Sequence, residues 1–198
     1  HTELFRWPAN GDKAQQLTRN LHVEGFALKG DQALIQNSDT ATPVDLYTLN
    51  LKTGATTRYT HHNEALVKEL GLNRMESFTF QSTPLKPGGK AQDIEGFVIK
   101  PVGFDPAKKY PVAFLVHGGP QSGWKDAWGH RWNPQTWAGR GYLAVQINFR
   151  GSDGYGQAFT DSISQDWNGG AIADLVVGLD AFLKATPQAD PKRVLCAG

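Results

Sequence analysis

The hydrophobic and polar positions divide the chain into two regions of different periodicity. Up to about residue 72, short apolar runs alternate with polar residues and are separated by turn residues. In "VDLYTLNLKTGATTRYT", the even positions from 46 to 50 alternate with Tyr47, Leu49 and Leu51, and a turn follows at 52–54. A period of two is typical of strands that bury one face. The pattern predicts an all-β array over residues 1–72, either blades of a β-propeller or part of a sandwich.

From residue 73 onward, the pattern changes to buried strands separated by helical segments. Apolar runs predict three strands at 112–116, 142–148 and 193–196. Before them, "ESFTFQST" and "DIEGFVIKPV" alternate like two paired strands. The apolar face of a predicted helix before the last strand consists of Ile172, Leu175, Val176, Leu179, Phe182 and Leu183. This order predicts an α/β domain over residues 73–198 with a mixed, mostly parallel sheet.

Composition and charge exclude several functional classes. The formal net charge of the 198-residue chain is +1, which gives no electrostatic reason to expect nucleic acid or an anionic membrane as a partner. No apolar run reaches the length of a membrane span. His61 and His62 have no further ligand at a suitable spacing, so we expect no metal site, and no motif calls for a cofactor.

Cysteine content and the two chain ends bear on location and completeness. The single cysteine, Cys196, excludes an internal disulfide. One cysteine fits a periplasmic or secreted protein that lacks disulfides, and a cytoplasmic location is the alternative. The chain opens without Met and closes on a strand-like segment at Gly198, so we interpret it as an internal piece of a longer polypeptide.

Three glycine-rich segments follow the predicted parallel strands. They are "HGGPQSGW", "FRGSDGYG" and the terminal "CAG". The carboxyl ends of parallel strands share one edge of a sheet, where ligands bind in such folds. In "HGGP", the backbone N–H groups of Gly118 and Gly119 have no Cβ atoms beside them and could form half of an oxyanion hole. A turn that merely requires a positive φ at one of these glycines is the alternative.

The terminal segment "RVLCAG" has the pattern that leads into a nucleophile elbow. In a G-x-S-x-G motif, an apolar strand runs into a glycine, and the nucleophilic serine follows on a strand-to-helix turn. If Gly198 is the first glycine of that motif, the serine is the second residue after it. This inference concerns residues outside the chain.

Taken together, these motifs resemble the prolyl oligopeptidase family of serine peptidases. The stretches that carry the resemblance are "HGGPQSGWKDAWGHRWNPQTWAGRGY", "NFRGSDGYGQAFTDSISQDWNGG" and "DPKRVLCAG". Within the family they are most similar to the dipeptidyl peptidase V and acylaminoacyl-peptidase groups. The resemblance implies that residues 73–198 are the N-terminal part of an α/β-hydrolase domain, preceded by propeller blades that admit only short peptides. It also implies a Ser, Asp and His triad, in that chain order, after Gly198.

The resemblance also assigns roles to residues within the chain. It implies that the Gly119 N–H is an oxyanion donor and that Gly118 and His117 shape the loop, with His117 not the general base. Trp124, Trp128 and Trp132 could line a substrate pocket, and packing against the N-terminal region is the favoured alternative.

Four further residues have structural interpretations. Arg150 is expected to anchor its own loop, and Asp166 and Asp174 to be charges favoured by a helix N-terminus. We expect Cys196 to be a small core residue rather than a nucleophile.

The expected function is that of a serine exopeptidase that releases dipeptides from the amino ends of short peptides. An esterase or lipase of the same fold and a non-catalytic binding module are the alternatives. Because half of an active site cannot turn over substrate, we expect residues 1–198 alone to be inactive. The sequence leaves open a homodimer of the full-length protein.

Overall fold

A computed structural model describes residues 1–11, 13–84 and 88–198, and the chain divides into two compact units. The first unit comprises residues 1–72 and 125–133, and the second comprises residues 73–124 and 134–198. The chain therefore leaves the second unit after Trp124 and returns to it at Pro134. Among the described residues, no helix is long and apolar enough to cross a membrane.

The first unit is built on an antiparallel sheet. Its elements are β1 (Phe5–Arg6), β2 (Gln15–Gln16), β3 (His22–Lys29), β4 (Gln32–Asp39), β5 (Thr42–Asn50), β6 (Thr56–Arg58) and α1 (Glu64–Leu70). Strands β3 to β6 pair in chain order as a four-stranded meander, and β1 pairs with β2. Gly54 (φ +73°) supplies the left-handed backbone of the predicted turn at 52–54, and Gly30 (φ +58°) that of the turn between β3 and β4. The apolar residues of one sheet face, Val23, Ala33, Ile35 and Leu49, form its core.

The second unit is an α/β structure with a five-stranded mixed sheet. Its strands are β7 (Glu76–Gln81), β8 (Asp93–Ile99), β9 (Tyr110–Leu115), β10 (Leu143–Asn148) and β11 (Ala189–Ala197), and its helices are α2 (Gln135–Ala138), α3 (Gln157–Asp161) and α4 (Gly170–Ala185). The strand order is β11-β9-β10-β8-β7. Strand β9 is parallel to β10 and β11, whereas β8 is antiparallel to both β10 and β7. The predicted α/β class with a mixed sheet is confirmed.

Helix α4 buries a different face from the one that the sequence predicts. Leu175 and Phe182 are buried as expected, but Ile172 and Val176 are 50% and 55% exposed. The buried face also includes Ala171, Asp174 and Gly178. Small residues on this face let the helix axis approach the sheet, so the larger β-branched side chains turn outward.

At Gly178, helix α4 packs closely against side chains of the sheet. A Cβ atom built there lies 2.4 Å from Ile147 Cδ1 and 2.4 Å from Phe80 Cζ. We expect Gly178→Ala to lower the free energy of unfolding by about 1–3 kcal/mol, because overpacking exceeds the gain in helix propensity. Urea denaturation measures this change. The matched control is Val176→Ala on the exposed face of α4, and an equal loss in both variants would contradict the packing argument.

Cys196 is exposed, so its interpretation as a core residue is wrong. It lies on β11, which is the edge strand of the sheet and pairs only with β9 among the described strands. Beside β11, on the side of the sheet that α4 covers, lies an apolar groove of about 640 Å³, lined in part by Val116, Val176 and Cys196. The side chain therefore faces this groove instead of a packed core.

Candidate active site

The carboxyl ends of β9, β10 and β11 meet at one edge of the sheet. Their parallel registers bring Leu115 of β9 opposite both Gln146 of β10 and Ala197 of β11. The Val116 N–H continues the ladder by donating to the Ala197 carbonyl at 2.9 Å. The loop at 116–124, the loop at 149–156 and Gly198 therefore all leave from the same edge.

Gly198 lies against the first residue of the 116–124 loop. A Cβ atom built on Gly198 would stand 2.3 Å from the Val116 carbonyl oxygen. A glycine is required here because the two backbones approach each other closely.

Gly119 has the geometry of an available backbone donor. It is exposed, and its φ of +136° is a conformation that L-residues rarely adopt. A Cβ atom would lie 2.9 Å from Ser122 Cβ, so both the conformation and the space require glycine. Among the residues that the structure describes, no acceptor takes the Gly119 N–H.

Gly118 differs from Gly119 in its backbone requirement. Its φ is not positive, and a Cβ atom built there meets nothing within 4 Å. A turn that requires a positive φ at one of these two glycines was the alternative to an oxyanion hole, and the positive φ is at Gly119. The roles of both glycines in catalysis remain predictions.

His117 is held by the loops on either side of it. Its ring stacks on Phe149 with centroids 4.3 Å apart, and its Nε2 lies 3.0 Å from Ser152 Oγ. Its Nδ1 lies 3.0 Å from the Gly118 carbonyl oxygen. Burial lowers the pKa of His117, and the hydrogen bond to Gly118 only partly opposes this effect. The ring is therefore neutral near pH 7, and its two nitrogens connect the loops at 117–118 and 149–152.

A buried ion pair fixes the second loop to α4. Arg150 donates from Nε to Asp174 Oδ2 at 2.8 Å and from Nη2 to Asp174 Oδ1 at 2.6 Å. The Arg150 backbone N–H also donates to Asp174 Oδ2 at 2.9 Å. Asp174 is 0% exposed, so its interpretation as a charge favoured mainly by the helix dipole is wrong. The carboxylate is the buried counter-ion of Arg150 and, with it, anchors the loop.

Asp166 keeps its predicted place at the beginning of α4. Its Oδ1 accepts the Gly169 N–H at 2.9 Å, just before the first residue of the helix. A carboxylate at this position is favoured by the helix dipole.

The three tryptophans are divided between the two units. Trp124 lies in the second unit, where its ring meets that of His117 edge-on at 6.1 Å. Trp128 and Trp132 lie in the 125–133 segment of the first unit. There the backbone N–H of Trp128 donates to Ser38 Oγ at 3.1 Å. A pocket role for these side chains remains a prediction.

The sequence did not indicate a role for four residues that form hydrogen bonds near the carboxyl ends of the parallel strands: Asn148, Ser152, Tyr155 and Glu95. Asn148 binds both backbone groups of Trp124, and Tyr155 joins Asn148 to Glu95. The one available signal was a polar residue, Asn148, directly after an apolar run. Among the described ranges, no three His, Cys, Asp or Glu side chains are grouped so as to hold a metal ion.

The chain is similar to known proteins in sequence and in structure. Residues 128–198 match the model of the prolyl oligopeptidase family. Dipeptidyl-peptidase 5 of Aspergillus fumigatus is 38% identical over 181 residues, which are 88% of this chain and 24% of that protein. Dipeptidyl-peptidase 5 of Trichophyton equinum is 45% identical over 118 residues, which are 60% of this chain and 15% of that protein.

Solved structures agree in fold. The Pyrococcus horikoshii acylaminoacyl peptidase aligns with 97% of this chain and 29% of its own, with a TM-score of 0.79 at 24% identity. The chain spans about a quarter of the length of the curated relatives that match along most of it. The predicted resemblance to the prolyl oligopeptidase family is thereby confirmed, and residues 128–198 are the part of the chain that matches the family model.

Proposed function

We propose that this chain is the propeller-proximal part of a serine exopeptidase that releases dipeptides from the amino ends of short peptides. The observation that carries the proposal is the exposed Gly119 amide, which has no acceptor among the described residues and lies at the edge where three parallel strands end. The dipeptidyl-peptidase name of the curated relatives supports the choice of reaction.

In this proposal, the Gly119 N–H donates to the carbonyl oxygen of the scissile peptide bond as that oxygen becomes negative. Backbone donors held in advance stabilise the tetrahedral intermediate without reorganisation. The second donor and the nucleophile belong to an elbow that continues from β11, with Asp and His further along the polypeptide. Residues 1–198 alone are then inactive, because they supply one donor and no nucleophile.

The β-sheet of the first unit supports a short-peptide substrate. Strands β3 to β6 form a four-stranded antiparallel meander, which is the form of a propeller blade. A propeller beside a hydrolase domain would restrict entry to narrow, extended substrates. The proposal includes a location outside the cytoplasm, which the single cysteine permits without disulfides.

The test compares substrates on the full-length polypeptide that carries residues 1–198. We expect hydrolysis of a dipeptide anilide with a free amino end, weak hydrolysis of a short-chain ester, and covalent labelling by a fluorophosphonate probe. Residues 1–198 alone should give neither turnover nor labelling. A preference for the ester would favour a lipase-type enzyme, and absence of labelling in the full-length protein would favour a binding module.

A further inference from the structure

Asn148 forms a two-point bond with the end of the 116–124 loop. It is the last residue of β10 and is 2% exposed. Its Oδ1 accepts the Trp124 N–H at 2.7 Å, and its Nδ2 donates to the Trp124 carbonyl at 3.0 Å. A side-chain amide that binds both backbone groups of one residue fixes that residue in position and orientation.

Tyr155 and Glu95 fix the orientation of the Asn148 amide. Asn148 Nδ2 donates its second proton to the Tyr155 hydroxyl at 2.8 Å, and that hydroxyl donates to Glu95 Oε2 at 2.5 Å. A carboxylate can only accept, so the phenol proton is directed to Glu95 and the phenol oxygen must accept from Asn148. Burial first, and then the hydrogen bond to Glu95, raises the pKa of Tyr155, so the phenol stays protonated. Glu95 lies opposite Asn148 in the β8–β10 register, so the network is built on two adjacent strands.

The 149–156 loop contacts the 116–124 loop at two further points. Ser152 Oγ lies 3.0 Å from His117 Nε2, and the Asp153 N–H donates to the Ser122 carbonyl at 2.9 Å. Gly119 lies between these attachment points, while its own N–H has no acceptor within the described ranges. The direction of that N–H is therefore set by the attachments of its neighbours in the loop.

We propose that Asn148, held by Tyr155 and Glu95, is a positioning residue that fixes the 116–124 loop so that the Gly119 N–H points at the developing oxyanion. This inference rests on the proposed function and assigns the orientation of the oxyanion donor to a side chain that does not touch substrate. Small displacements of a preorganised group are costly in rate, because the donor must meet the oxygen in the transition state.

Two variants of the full-length polypeptide test the inference. Asn148→Asp keeps the size and the acceptor for Trp124 N–H but replaces the donor Nδ2 by an oxygen that repels the Trp124 carbonyl. Tyr155→Phe keeps the ring and removes the hydroxyl that orients the Asn148 amide. We expect kcat on a dipeptide anilide to fall by about 10- to 100-fold in Asn148→Asp, and by less in Tyr155→Phe, with KM unchanged within about twofold.

A second readout separates positioning from general destabilisation. A dipeptide aldehyde forms a tetrahedral adduct whose oxygen occupies the oxyanion hole, whereas the free dipeptide product does not. In both variants the aldehyde should bind more weakly by about the same factor as kcat falls, while the affinity for the product dipeptide stays constant.

Matched controls lie at the opposite edge of the sheet. Asn73→Asp removes an amide that donates to the Lys100 and Pro101 carbonyls, and Tyr110→Phe removes a hydroxyl that accepts the Asp105 N–H. Both controls should keep wild-type kcat and aldehyde affinity.

The outcomes separate this inference from the proposed function. A wild-type protein that neither hydrolyses the anilide nor binds the aldehyde overturns both. If the wild type is active, two results overturn the inference alone. In one, Asn148→Asp and Tyr155→Phe keep wild-type kcat and aldehyde affinity. In the other, the control variants lose as much kcat and aldehyde affinity as Asn148→Asp and Tyr155→Phe lose. If Asn148→Asp fails to fold, the milder Tyr155→Phe decides between these results.

Discussion

Exchange of the Gly119 amide for an ester is expected to lower kcat for a dipeptide anilide by about 10²–10³-fold. Incorporation of glycolic acid at position 119 of the full-length polypeptide replaces the N–H by an ester oxygen and retains a backbone that can adopt φ +136°. The exchange also weakens the Gly118 carbonyl as an acceptor for His117 Nδ1. The loss corresponds to about 3–4 kcal/mol of transition-state stabilisation, the size found when one oxyanion donor is removed. Steady-state kinetics gives the ratio of rates. Gly119→Pro would delete the same hydrogen, but proline is confined to φ near −65° and would rebuild the loop.

The matched control is the same exchange at Gly103. This glycine is also exposed with a positive φ (+68°), and it has open space around it. It follows β8, which runs antiparallel to β10, so it lies at the edge opposite the candidate site. An ester at Gly103 should leave kcat unchanged. Wild-type kcat after the exchange at Gly119 would show that this amide is not an oxyanion donor.

Asp174→Asn is expected to lower the free energy of unfolding by about 3–5 kcal/mol. The substitution keeps the shape of the side chain but leaves the Arg150 guanidinium buried without a counter-ion. Removal of one member of a buried pair costs more than the pair contributes, because the remaining charge has lost its hydration. Urea denaturation of the wild-type and variant chains measures the difference.

The control for this loss is an exposed ion pair of the same unit. Lys100 Nζ lies 2.8 Å from Glu76 Oε2, and both side chains are accessible to solvent. Glu76→Gln should change the free energy of unfolding by less than about 1 kcal/mol. Similar losses for Asp174→Asn and Glu76→Gln would show that the Arg150–Asp174 pair is hydrated in solution and does not anchor the loop.

Patterns within single elements made much of the second unit predictable. The apolar runs at β9 and β10 are buried on both sides, and such runs require a central strand whatever surrounds them. The two glycine-rich loops could be placed at one edge because parallel strands joined by helices must end on the same side. A positive φ at Gly118 or Gly119 was an alternative that the sequence left open, and the structure has it at Gly119.

Contacts between distant elements could not be predicted in this way. The residues of the Asn148–Trp124 and Arg150–Asp174 pairs are each 24 positions apart, and those of the Ser152–His117 pair are 35 apart. No periodicity links such positions, because their approach depends on the register of β9 against β10 and on the depth at which α4 packs. The exposure of Cys196 and Val176 depends on the same arrangement, since it places β11 at the edge of the sheet.

The sequence by itself therefore determined the α/β order, the parallel strand ends and the glycine loop that follows β9, since each of these depends on local periodicity and backbone freedom. Only the tertiary structure decided which side chains hold that loop, which face of α4 is buried and that Asp174 neutralises Arg150. The physical reason is that hydrogen bonds and ion pairs act over about 3 Å, a distance that chain order does not specify for residues on separate elements.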